Sequence, residues 1–307
     1  MKQEKEVLSK GKMIQVRGKN LYVEMYGSTE NPPVLFLHGG PGEMCFDFLY
    51  HQAHRLQDSF RLIAIDQRGV GRSEGIGKQE PFGLQDIIED CEALRKELGI
   101  NNWCLIGHSF GGFLALLYGA MYPASIQKII FEAPTFDFEL TARALLRKSA
   151  QLLNKYGQES FAEECIALSE SKGSTRSLVE GYMKLSEYLG EKRMEIYTYN
   201  FNNPTNDDIY TEEQWDEFWN RSEIHYNRLR DEGEIFESLL PKLKEIPHSL
   251  LLLIGAHDVV TCEKHIEVFQ RDTQNGKVIV FEECGHTPHY EAADRFAETV
   301  IDFFEVN

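Results

Sequence analysis

Trp103-Cys104-Leu105-Ile106-Gly107-His108-Ser109-Phe110-Gly111-Gly112 joins a short β-rich apolar run to the start of an apolar helical one. Within it, Gly107-His108-Ser109-Phe110-Gly111 has the form G-x-S-x-G. Small residues on either side let a strand turn sharply into a helix, and the serine hydroxyl projects from the turn. The pentapeptide recurs by chance in unrelated chains, so its context decides. Here the strand Trp103–Ile106 precedes it, and the helical pattern Phe110–Tyr122, stopped by Pro123, follows. Phe110 N–H then stands at a helix N-terminus, where an N–H can face developing negative charge.

Working outward, compact apolar runs at Leu21–Tyr26, Val34–His38, Leu62–Asp66 and Lys128–Glu132 predict further strands. Most close at a glycine or polar cluster, as buried parallel strands do. Between them Gln85–Leu98 places Ile87, Ile88, Cys91, Leu94, Arg95 and Leu98 on one helical stripe, apolar except for the arginine, with Gly99 as its stop. From about residue 135 the strand signal disappears, and helical patterns predict Leu140–Tyr156, Ser160–Ser169, Ser177–Leu189 and Thr211–Arg230. Strands resume at Ser249–Ile254 and Lys277–Glu282, and Arg295–Phe304 closes the chain as a helix. Alternating strands and helices predict an α/β class core with a mostly parallel, doubly wound sheet flanked by helices. Residues 1–134 and 245–307 form the expected core, and 135–244 an inserted helical cap above the carboxyl edge of the strands.

A serine hydroxyl is a weak nucleophile at neutral pH; it needs a base, and the base needs an orienting carboxylate. On such sheets the chain order is serine, acid, histidine, each just after a strand. Asp258, shortly after Leu250–Ile254, and His286, shortly after Val278–Phe281, match that order. His257 falls on the wrong residue of its turn, and His289 reads as the start of the next helix. His38-Gly39-Gly40-Pro41-Gly42 follows its own strand. Its poverty in Cβ atoms lets a backbone amide approach a carbonyl oxygen, with Gly40 as the expected donor and Gly39 as the alternative. Phe110 N–H supplies the other donor. His38 and His108 read as braces of the site, and Asp66-Gln67-Arg68-Gly69-Val70-Gly71-Arg72-Ser73 as a structural loop.

Composition narrows the function classes. The chain has 307 residues and a net charge of −17, from 49 acidic and 32 basic side chains, with no basic run. A nucleic-acid partner is not expected. The acidity reads first as solubility, and second as a field that draws cationic substrates. The segment Met1–Lys12 is polar and no apolar run is long enough to span a membrane. Six scattered cysteines without C-x-x-C spacing predict free thiols and a cytosolic setting. No metal-ligand spacing, G-x-G-x-x-G fingerprint or phosphate loop is present, so neither metal nor cofactor is expected.

Taken together, His38-Gly39-Gly40-Pro41-Gly42, Asp66-Gln67-Arg68-Gly69-x-Gly71-Arg72-Ser73, the Ser109 turn, Asp258 and His286 resemble the proline iminopeptidase group of the α/β-hydrolase fold family. The resemblance spans about residues 12–134 and 245–304. It implies a serine hydrolase that removes an N-terminal residue, typically proline, from short peptides. Acidic residues would hold the free amine, and the cap would limit substrate size. Two features depart from the group. His108 and Phe110 flank the serine where members often have G-G-S-W-G. In the cap, Trp215-Asp216-Glu217-Phe218-Trp219-Asn220-Arg221-Ser222-Glu223 has Asn220 at the expected acidic position of W-x-x-W-E. Glu217 or Glu223 could substitute as substrate-binding carboxylates. An esterase, lactonase or carbon–carbon hydrolase would use the same triad, and a binding protein could keep the fold without turnover. Carboxylate-nucleophile chemistries are disfavoured by serine at 109.

Overall fold

The continuous apolar runs become strands covered on both faces, with successive side chains sent to opposite cores. Leu35, Leu37, Leu105, Leu250 and Leu252 enter one core; Val34, Phe36, Cys104, Ile106, Leu251 and Leu253 enter the other. The computed structural model describes residues 11–305. Its strands are β1 (Lys12–Val16), β2 (Lys19–Tyr26), β3 (Pro33–Leu37), β4 (Arg61–Ile65), β5 (Trp103–His108), β6 (Ile126–Glu132), β7 (Ser249–Gly255) and β8 (Gly276–Phe281). They form one sheet in the order β1-β2-β4-β3-β5-β6-β7-β8. The β1–β2 and β2–β4 pairs are antiparallel and the remaining five are parallel.

On one face lie α2 (Leu84–Glu97), α3 (Phe110–Met121) and α8 (Glu263–Asp272); on the other, α1 (Phe46–Leu56) and α9 (Ala293–Glu305). Between β6 and β7 the chain forms α4 (Phe138–Lys155), α5 (Glu159–Glu170), α6 (Thr175–Ser186) and α7 (Glu212–Glu232), with no strand among them. The α/β class and mostly parallel sheet expected from the sequence are present. Helix α7 starts where its capping residues place it. Thr211 Oγ1 accepts from Gln214 N, Gln214 Oε1 accepts from Thr211 N, and Gly233 ends the helix at φ 95°.

Three elements were not anticipated. Strand β1 lies at the sheet edge, and only Val16 of its five residues is buried. Helix α1 buries His51 and Gln52 alongside Phe48, Leu49 and Ala53, which blurs its apolar stripe. Helix α8 buries just His265, Val268 and Phe269. Among the described residues no helix is long and apolar enough to cross a membrane. The polar segment Met1–Lys12 lies almost wholly outside the described residues, so the expectation drawn from it is not addressed. All six cysteines are free.

Candidate active site

Every loop that carries a predicted site residue leaves the carboxyl end of a strand, so all of them open on one sheet edge. At the end of β5 the turn is so tight that a Cβ on Gly107 would lie 2.3 Å from Gly111 O, and one on Gly111 1.9 Å from Leu37 O. Ser109 pivots at φ 53° and ψ −118°, a left-handed conformation that costs a non-glycine residue about 1–3 kcal/mol. Its neighbours hold it there: Ser109 N donates to Glu132 O at 2.9 Å, and Ser109 O accepts from Gly112 N at 2.9 Å and Thr135 N at 3.3 Å. Phe110 opens α3, so its N–H has no acceptor within the helix.

Asp258 is bound from three sides. Its Oδ1 accepts from Val260 N at 2.9 Å and from His286 Nδ1 at 3.0 Å, and its Oδ2 accepts from Thr261 N at 3.1 Å. The carboxylate therefore fixes the imidazole through Nδ1 and leaves Nε2 free. Burial alone would push His286 down. The Asp258 charge and hydrogen bond, aided by Glu43 and Glu132, outweigh burial and hold it above 6.5. The ring stands 4.8 Å, centroid to centroid, from that of His108, the residue beside the serine. Among the described residues the Ser109 hydroxyl makes no hydrogen bond, so Asp258 and His286 are in contact and His286 and Ser109 are not. Such contacts are often long before substrate binds.

The main-chain loop after β3 is braced from below. His38 Nε2 accepts from Gln67 N at 3.0 Å, and Asp66 Oδ1 accepts from Cys45 N at 3.0 Å. Burial pushes His38 down to about 4, which keeps it a neutral acceptor. Asp66 is fully buried and bonded by Arg72 Nε at 2.7 Å, while Arg72 Nη1 reaches Glu24 at 2.6 Å. Arg68 grips Asp90 through two bonds of 2.7 and 2.6 Å. The Asp66–Ser73 segment is thus a structural loop that holds the glycine loop in place. A Cβ on Gly39 would lie 3.1 Å from the Ser109 Cβ, so a side chain there would fill the space beside Ser109. Gly40 adopts φ 106°.

Beyond His286, Glu291 gathers five donors. Its Oε2 accepts from Gly285 N, Tyr199 N and Asn200 N, and its Oε1 from Thr287 N and Thr287 Oγ1. It ties the His286 loop to the segment that also receives His286 N at Tyr197 O, 2.7 Å away. His289, between them, donates from Nδ1 to Glu132 at 2.9 Å and from Nε2 to Asp47 at 2.8 Å. Burial opposes its charge, but Glu132 and Asp47 raise it to about 10, so it is an imidazolium at neutral pH. His108, Glu132 and His289 have potential ligand atoms within 4.8 Å of one another. An ion there would have to displace a proton that two carboxylates hold on His289, so these groups do not fit a metal.

The α/β-hydrolase fold family matches the chain over residues 32–293. The chain belongs to that family. A curated relative from Thermoplasma volcanium, named proline iminopeptidase, is 25% identical over 309 residues and covers 96% of each chain. Among solved structures, a proline iminopeptidase-related protein from Thermus thermophilus is 23% identical, with a TM-score of 0.69 and 95% of both chains covered. An esterase from Exiguobacterium antarcticum is 22% identical, with a TM-score of 0.65, covering 96% of this chain and 100% of that one. At these identities the structural likeness shows the fold alone.

The two glutamates expected from the sequence to bind substrate both lie on α7. Glu217 is exposed and paired with Arg221, whose guanidinium also donates to Gly71 O at 3.0 Å and Ser73 O at 3.2 Å. Glu223 is exposed on the same helix. Helix α7 meets the glycine loop through Ser222 instead: a Cβ on Gly42 would lie 3.1 Å from the Ser222 Cβ. An i,i+4 arginine thus pairs with Glu217, and Glu223 is exposed without a side-chain partner among the described residues. Sequence inspection also missed Glu291 and Glu43. A glutamate soon after the predicted base was the available hint for Glu291, and a charge directly after the glycine loop was the hint for Glu43.

Proposed function

We propose that this α/β hydrolase cleaves acyl bonds through an ester on Ser109, and that its substrates are short peptides from which it releases an N-terminal residue, proline above all. The observation that carries the chemistry is the His286 imidazole, fixed by Asp258 through Nδ1 at 3.0 Å with Nε2 left free and its ring 4.8 Å from that of His108, the residue before Ser109. His286 takes the Ser109 proton as the oxygen bonds to the substrate carbonyl carbon. The resulting oxyanion sits against Gly40 N–H and Phe110 N–H, each such donor being worth about 2.7–4 kcal/mol of barrier. His286 then protonates the leaving amine as the carbon–nitrogen bond breaks. A water that gives its proton to His286 releases the acid and restores the hydroxyl.

Support for a peptide substrate comes from the relative named proline iminopeptidase, matched over nearly its whole length, together with the glycine-loop and arginine-loop motifs that carry the family resemblance. Residues 135–244 act as a cap that limits access to small substrates, resting on the glycine loop at Ser222 and on the His286 loop at Tyr197. The test is prolyl-2-naphthylamide with and without N-terminal acetylation, alongside fluorophosphonate labelling. The free-amine substrate should be cleaved, the acetylated one spared, and the label should fall on Ser109. Labelling elsewhere would remove the nucleophile; equal cleavage of both substrates would remove the aminopeptidase.

A further inference from the structure

Glu43 follows the glycine loop and folds back over it, its N–H donating to Gly39 O at 3.3 Å. A Cβ on Gly39 would lie 2.7 Å from Glu43 Oε2 and 3.1 Å from the Ser109 Cβ. The carboxylate and the serine can be no further apart than those two distances laid end to end. Glu43 is exposed, yet the protein packed around its carboxyl pushes it above the ordinary range. The charged groups around it are His286 and His289, which favour its ionised form, and Asp47, which opposes it. Among the described residues no side chain bonds to it. The carboxylate beside it, Asp47, is engaged with His289, and Asp258 is engaged with His286.

An unpaired carboxylate in this position works against the chemistry of a neutral acyl group, because it repels the oxyanion that forms on the carbonyl. The same charge favours an acyl group that carries its own cation. An ammonium on the carbon next to the carbonyl is two bonds from the reacting carbon. From there it can reach a carboxylate beside the nucleophile and cancel the repulsion.

We propose that Glu43 receives that ammonium and is the residue by which the enzyme selects α-amino acyl groups over neutral ones. The proposal rests on Ser109 being the acylated nucleophile, as proposed above, and does not require the leaving group to be a peptide. It assigns to the main-chain loop beside the nucleophile a role that the sequence suggested for the cap.

The test compares two 4-nitrophenyl esters with nearly the same ring, the prolyl ester and the cyclopentanecarbonyl ester, which differ in a ring NH₂⁺ against a CH₂. The native enzyme should prefer the prolyl ester by roughly 10- to 100-fold in kcat/KM, the range of a charge-assisted hydrogen bond. Glu43→Gln should bring the ratio near unity by slowing the prolyl ester, leaving the cyclopentane ester unchanged or faster. Glu43→Asp, which keeps the charge, should retain part of the preference. Continued turnover of the cyclopentane ester shows that the variants are folded.

A native ratio near one, a ratio untouched by Glu43→Gln, or equal slowing of both esters would overturn the proposal. Equal slowing would make Glu43 a positioning residue for His286. Failure on prolyl-2-naphthylamide with the ester preference intact would remove the peptidase and keep Glu43. Turnover of neither ester would overturn both.

Discussion

His286 and His289 lie three residues apart after β8, and both are buried, at 5% and 2% exposure. They do opposite work. His286 has one nitrogen bound to a carboxylate and the other free; His289 has both nitrogens bound to carboxylates. The first can take and return a proton. The second is a fixed imidazolium that neutralises Glu132, itself fully buried. Proximity to a motif thus does not make a base. A vacant nitrogen does, together with a pKa that a change of partner can cross.

The histidine proposed as the base should give the greatest response. Ser109→Ala and His286→Ala should each lower kcat/KM by about 10⁴-fold or more, while melting temperature stays close to native. His289→Ala should do the reverse, lowering stability by about 3–5 kcal/mol in urea titration, because it strands Glu132 in the core. Comparable turnover loss without loss of stability in His289→Ala would exchange the two roles. The His289 ion pairs also carry a pH signature. Its folded value, about 10, exceeds the ordinary 6.5, so its stabilisation is complete below pH 6.5 and fades as pH rises towards 10. The stability gap between native protein and His289→Gln should narrow over that interval.

A more modest change tests the scaffold common to both residues. Glu291→Ala frees the His286 loop from Tyr199 and Asn200, and should cost roughly 10- to 100-fold in kcat through misplacement of the imidazole. Retained kcat would show that Asp258 alone positions His286.

The two histidines also mark what a sequence can reveal. Ser109, Asp258 and His286 each sit just beyond an apolar run, and a parallel sheet sends all such positions to one edge. The Asp258–His286 bond was therefore foreseeable from order alone. The β3, β5 and β7 runs were legible because both faces are covered and their central positions are all apolar. His289 was not, since its partners Glu132 and Asp47 come from β6 and α1, and α1 itself hides its stripe behind His51 and Gln52. Nor was Glu43, whose position depends on the path of a glycine loop rather than on any periodicity. The Glu217 pairing, by contrast, is local: the helix that carries it also carries Arg221 one turn on.

The subtlest contrast between the two histidines lies in the pH profile of turnover. The base must be neutral to accept the Ser109 proton, so kcat/KM should rise with pH through the ionisation of His286. Burial opposes the charged ring, but Asp258, Glu43 and Glu132 together hold the value above 6.5, which places the acid limb on the alkaline side of an ordinary histidine. Removing one anion should move that limb to lower pH. Glu43→Gln, assayed with the cyclopentane ester so that substrate charge plays no part, should therefore be active at more acid pH than the native enzyme. His289→Gln removes a group whose bonds go to Glu132 and Asp47, and should leave the limb nearly in place. A limb that follows His289 instead would mean that the imidazolium, and not its neighbour, sets the working pH.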